Sequence, residues 1–146
     1  MSGRPLQPPQ GGDEAPRVSS PLLGGDTLDL VELATVICER YLLTFPDERE
    51  RYGDAGIAWC VHDNQHLLNW AVESVNGELE IEPEVAWLAT VLESREFPID
   101  RLARDLDIAA DVVSGQVAGP GGRELASVLI ATAGFVRSGD FRDYTV

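Results

Sequence analysis

Between Leu30 and Tyr41, apolar side chains return every three or four residues, at Leu30, Leu33, Ala34, Ile37, Cys38 and Tyr41. That spacing predicts an amphipathic helix, capped at its start by Asp26 or Thr27. "FPDERE" breaks the pattern and restarts it. Pro46 suits a first helical turn, and Asp47 and Glu48 suit the positive end of a helix dipole. A second helix is therefore expected to run to about Ser74. Gly53 and Gly56 near its start predict a kink or a close crossing. "NGELEIEP" reads as a loop. A third helix is expected over residues 83–94, with Val85, Leu88, Ala89 and Leu92 on one face, and "EFP" ends it. A fourth follows Pro98, with Leu102, Leu106, Ala109 and Val113 in line. "SGQVAGPGG" reads as a loop, and a fifth, strongly apolar helix is expected over residues 123–137. No strand and no internal repeat is expected. The predicted fold class is all-α, with about five helices packed as one domain over residues 26–137.

The flanks differ in composition. Residues 1–25, "MSGRPLQPPQGGDEAPRVSSPLLGG", are rich in Pro, Gly and Ser and poor in large apolar side chains. Such a segment buries too little surface to offset its chain entropy, so a disordered tail is expected. Its charges cancel, Arg4 and Arg17 against Asp13 and Glu14. Residues 138–146, "SGDFRDYTV", are expected to fray.

Charge and composition then remove several function classes. The formal net charge is −14, carried by the helical part. Nucleic acid is an unsuitable partner, because phosphate binding needs clustered Lys and Arg. An anionic membrane surface is disfavoured for the same reason. The chain has no lysine, so neither a Schiff-base lysine nor a P-loop is available. Of 146 residues 44% are hydrophobic, enough for a real core, yet no apolar run approaches membrane-spanning length. The two cysteines, Cys38 and Cys60, sit in apolar helical patterns and read as buried thiols. The N-terminus shows no apolar targeting segment, and the expected compartment is the cytoplasm.

The second helix carries an anomaly. "WCVHDNQHLLNWA", residues 59–71, holds both histidines of the chain and two of its three tryptophans. At 100° per residue, Ile57, Cys60, Val61, Asn64, Leu67, Leu68, Ala71, Val72 and Val75 form a broad core face. Trp59, His62, Asp63, His66, Trp70 and Glu73 form a stripe on the opposite side. An ordinary wet face would carry charges there instead of two indoles. Three explanations apply. Another helix, the loop after Asn76 or a second subunit covers the stripe; or the stripe is a ligand surface; or His62 and His66, four residues apart, bind a metal. "HDNQH" imitates the H-E-x-x-H of metalloproteases, with Asp63 at the glutamate position and no third ligand in evidence.

"CVHD" followed by "NQHLLNW" resembles the C-x-R-D motif of phycobiliproteins, globin-like helical proteins that carry linear tetrapyrroles. The resemblance spans roughly residues 52–136 and includes the order of the later helices. It implies a globin-like bundle, a thioether from Cys60 to a bilin and contact of Asp63 with pyrrole nitrogens. His62 stands where that family has the propionate-binding arginine. The chain is also similar to the helical module that precedes cobalamin-binding domains in bacterial sensors. There Tyr52-Gly53, Cys60, Asp63 and His66-Leu67 are the matching positions.

These readings converge on a non-enzymatic regulatory or scaffold module. It is expected to act through self-association, as a homodimer, or through a protein partner at the Trp59, His62, Asp63, His66 and Trp70 face. The alternative is a small-molecule sensor holding a bilin or corrin-like tetrapyrrole near Cys60, Asp63 and His66, with Cys60 as the attachment point. A metal-dependent enzyme using His62 and His66 ranks third.

Overall fold

The computed structural model describes residues 4–5 and 15–145, with side chains over 15–144. Five helices make the molecule: α1 (Leu30–Thr44), α2 (Asp47–Val75), α3 (Ile81–Ser94), α4 (Ile99–Gln116) and α5 (Gly119–Ser138). The all-α class expected from the hydrophobic pattern is the class observed. Two small pairings flank the helices. β2 (Ser19–Pro21) runs antiparallel to β3 (Thr27–Asp29), and β1 (Arg4–Pro5) runs parallel to β4 (Tyr144–Thr145).

Helix α1 starts three residues later than the sequence pattern suggests. Asp26 and Thr27 do not cap it; Thr27 belongs to β3, and Asp29 is the cap, its carboxylate accepting the Glu32 amide at 3.0 Å. Leu30, Leu33, Ala34, Ile37, Cys38 and Tyr41 are all buried, as their spacing requires. Helix α2 is kinked at Gly53, whose φ of 60° and ψ of −154° lie outside the helical region and suit glycine alone. Helices α4 and α5 pack along most of their length through Leu102, Leu106, Ala109 and Val113 against Leu125, Leu129 and Val136. The stretch read as a loop between them is shorter than expected. Ser114 to Gln116 stay helical, and α5 opens at Gly119 with Pro120 in its first turn.

In both flanks the described residues depart in part from the expectation. Residues 1–3 and 6–14 of the expected tail lie outside the described residues. From Ala15 onward the segment is packed rather than free. Leu22 is buried in the core, Gln65 of α2 donates to the Arg17 carbonyl at 3.0 Å, and Asn76 bonds both the Leu23 amide and the Pro21 carbonyl at 2.8 Å. Composition misses this because the anchoring comes from one α2 side chain, from Asn76 at the end of that helix and from one leucine. At the other end, residues 138–145 do not simply fray, and Val146 lies outside the described residues. A short 3-10 helix at Asp140–Asp143 follows the left-handed Gly139 cap, and it buries Phe141 completely. Arg142 pairs with Glu93 of α3 and holds that turn in place. Among the described residues, no helix is long and apolar enough to cross a membrane.

Candidate functional site

Positions 59, 62, 66 and 70 are spaced by three, four and four residues, so on α2 their rings lie one above another. Trp59 meets His62 edge-on at 5.0 Å between ring centroids, and His62 meets His66 edge-on at 4.9 Å. His66 stacks on Trp70 at 5.6 Å with planes 27° apart. The anomalous stripe is thus one continuous ladder of rings. Its surroundings change along its length. Trp59 is 61% exposed, whereas His66 and Trp70 are 8% and 3% exposed. From Asn64 to Val72 every residue of α2 is buried, on all sides of the helix.

The ladder forms one wall of a cleft of about 530 Å³. Helix α3 supplies the facing wall through Trp87, Leu88 and Val91, with Arg95 at its exposed end. Tyr41 of α1, Phe97 and Leu102 of α4 close the sides. All three tryptophans of the chain and both histidines line this one space. That volume and that apolar, aromatic lining match small-molecule sites in general.

The floor is polar. Asn64, on the α2 core face, donates its Nδ2 to the Cys60 carbonyl at 3.0 Å and to Asp105 Oδ1 of α4 at 3.1 Å. The sulfurs of Cys38 and Cys60 lie 3.5 and 3.6 Å from the same nitrogen. Burial pushes the Asp105 carboxyl up to about 7; the Asn64 donor acts against this, and the nearby Asp63 charge adds to it. A hydrogen bond with Cys38, followed by burial, pushes the Cys60 thiol far above its ordinary range. The thiolate needed for a thioether is therefore strongly disfavoured at this position. Asp63 sits nearer the mouth. Its Oδ1 lies 3.1 Å from His62 Nδ1, and burial raises its carboxyl against the lowering influence of His62 and Arg95.

Beside the floor, Glu48 is buried but fully engaged. Its Oε1 accepts from the Tyr41 hydroxyl at 2.7 Å and from Arg101 at 2.8 Å. Arg101 also reaches Asp47 and lies over the Phe45 ring at 4.4 Å. These hydrogen bonds, to Asp47 first and then to Glu48, hold the guanidinium firmly charged. The cluster clamps the start of α2 to α4, below the open end of the cleft.

Trp59, Cys60, His62, Asp63, His66 and Trp70 all line the cleft, whereas Glu73 at the end of the stripe does not and accepts from Asn69 instead. The sequence reading missed Trp87, Arg101 and Asp105. Asp105 had a legible signal, because it falls three residues after Leu102 and four before Ala109, on the apolar side of α4. The metal reading gains no donor set. Among the described residues, no group of three or more His, Cys, Asp or Glu side chains is placed to hold a metal ion. Comparison with family models, with curated proteins and with solved structures finds no match for this chain.

Proposed function

We propose that this protein is a non-enzymatic small-molecule-binding module, a sensor or carrier, whose ligand lies in the cleft between α2 and α3. The observation that carries the reading is the ring ladder. Three tryptophans and two histidines of this chain face a shared, half-enclosed space of about 530 Å³. Helices that pack only for stability fill such a space with aliphatic side chains to near-crystalline density. A cleft with indoles on both walls suits a flat, largely apolar molecule that stacks. A tetrapyrrole is one such molecule, and the likeness of "CVHD" to the phycobiliprotein motif favours it. Non-covalent binding is preferred, because the Cys60 thiol is turned toward Cys38 and Asn64 and held protonated. Regulation would follow if the occupant tied α3 to the open half of α2.

The test is native mass spectrometry and absorption spectroscopy of protein purified from its native host. A bound small molecule, released on denaturation, is the expected result. All three tryptophans line the cleft, so their emission reports occupancy directly. The proposal fails if the purified protein has only its own mass, and if biliverdin, cobalamin and anthracene-9-methanol all leave tryptophan emission and Tm unchanged.

A second reading rests on the 61% exposure of Trp59 and the 43% exposure of Tyr52 at the same open end. There a second copy of the chain, or a protein partner, would cover the mouth in place of a ligand.

A further inference from the structure

The lining of the cleft holds three carboxylates, and their surroundings differ. Glu48 is neutralised by Arg101. Asp63 touches His62 and feels Arg95. Asp105 is buried to 6% exposure, and among the described residues it has Asn64 as its hydrogen-bond donor and no ion pair. A buried carboxylate without a counter-charge is costly to ionise, so its environment favours either a proton or an arriving cation. Beside it, Asn64 is 2% exposed, and its Oδ1 has no hydrogen-bond partner. As placed, the amide nitrogen serves the Cys60 carbonyl and Asp105. The cleft floor therefore offers one uncompensated acid and one unused acceptor. Neither arginine of the lining answers them, since Arg101 is taken by Asp47 and Glu48, and Arg95 lies at the exposed end of α3.

Resting on the ligand-cleft reading above, we infer that the ligand is a flat aromatic molecule bearing a protonated or N–H-rich nitrogen, which points at Asp105 and Asn64 while its ring system lies against the ladder. Donors on such a group would serve the Asp105 carboxylate and the unused Asn64 oxygen. The walls suit the same charge, since Tyr41, Tyr52, Trp59, Trp70, Trp87 and Phe97 present π faces and edges around the space. The protein's net charge of −14 adds a long-range attraction for cations and repels anions. Burial that pushes Asp105 up to about 7 leaves its proton readily lost to solvent near neutral pH, and an arriving cation favours that ionisation.

The test uses the full chain and three probes of nearly equal ring size. 9-Aminoacridine is cationic at neutral pH, anthracene-9-methanol is neutral and anthracene-9-carboxylate is anionic. Isothermal titration calorimetry should show 9-aminoacridine binding at least about tenfold more tightly than the neutral probe, with the anion weakest. Asp105→Asn keeps the shape of the acid and removes its charge, and it should collapse the preference for 9-aminoacridine. The charge series on the unaltered protein decides the question even if that variant folds poorly. Equal or tighter binding of the neutral or anionic probe would overturn the cation preference and leave the ligand cleft standing. Binding of none of the three would overturn the cleft reading and this inference together. Retention of the preference in a folded Asp105→Asn variant would also overturn the assignment.

Discussion

Trp59 and Trp70 stand on the same stripe of α2, about three helical turns apart. They have the same side chain and both touch a histidine ring, yet one is 61% exposed and the other 3%. The difference comes from what lies around the helix. Before Asn64, α2 projects past the kink at Gly53 and is covered on one side only. From Asn64 onward it runs through the middle of the molecule, with α1, α3, α5 and the strand segment after Ala15 packed around it. One helix thus serves as core at one end and as the wall of a cleft at the other. The ring ladder joins the two regimes, with a fixed base at Trp70 and an open tip at Trp59.

If the base is core, breaking it should unfold the protein. Trp70→Ala removes a large buried side chain and should cost about 3–5 kcal/mol. Leu67→Asp, one turn back and 0% exposed, should cost as much or more, because it buries an unpaired charge. Both would exhaust a large part of the roughly 5–15 kcal/mol that stabilises a domain. Urea denaturation followed by circular dichroism measures this. A folded Leu67→Asp variant with near-native stability would mean that the interior end of α2 has been misplaced.

The junction between the two regimes should show itself through pH. Asp105 has its folded-state carboxyl pushed up to about 7 by burial, well above its value in the unfolded chain. Between those two values the folded protein binds a proton that the unfolded chain does not. Its contribution to stability is therefore fully present below the ordinary carboxylate range and is lost as pH rises through about 7. Asp63, also raised by burial, acts in the same direction. Asp47 and Glu93, held low by Arg101 and Arg142, act oppositely, but their effect falls in more acidic solution. Stability should thus rise by on the order of 2–3 kcal/mol on going from pH 8 to pH 5. Asp105→Asn should be the more stable protein at pH 8 and should lose most of that slope. An unchanged slope in the variant would show that Asp105 does not titrate at the cleft floor.

The helices were legible because their burial follows a single period. Leu30 to Tyr41 on α1 and Leu102 to Val113 on α4 each present one apolar side, and each is buried as its spacing demands. The stripe of α2 was legible as an anomaly for the same reason, since indoles occupied positions that solvent should hold. What covered the stripe was not legible. Periodicity on one helix says nothing about which distant helix lies opposite, so Trp87 and Arg95 gave no sign of facing Trp59 and Asp63. Nor could composition reveal that Leu22 would reach the core or that Phe141 would be sealed beneath α3. Those contacts are set by tertiary packing between segments about fifty residues apart in sequence. Cys60 carried the opposite lesson. Its motif suggested an attachment site, and its place on the core face suggested a buried thiol. The structure lies between the two: Cys38 is buried, whereas Cys60 is half-buried at the cleft lining with its sulfur beside Asn64 and its thiol pushed up by Cys38 and by burial.

The smallest effect on stability, and the most informative for function, should come from the open tip. Trp59→Ala removes an exposed indole whose described ring contact is with His62, so stability should change by no more than about 0.5–1 kcal/mol. The contrast with Trp70→Ala, several times larger for the same substitution on the same stripe, is itself the sharpest form of the comparison. Fluorescence should agree, with the wild type showing one water-exposed component that disappears in Trp59→Ala and a blue-shifted remainder from the buried end. The variant also separates the two uses of the mouth. If the cleft takes a small molecule, Trp59→Ala should weaken binding of an aromatic probe while sedimentation equilibrium reports the same mass before and after. If a second copy covers the mouth, the wild type should sediment as a dimer and the variant as a monomer, with the circular dichroism of the two superimposable. A large loss of stability in Trp59→Ala would contradict both uses, since it would place the tip of the ladder in the core along with its base.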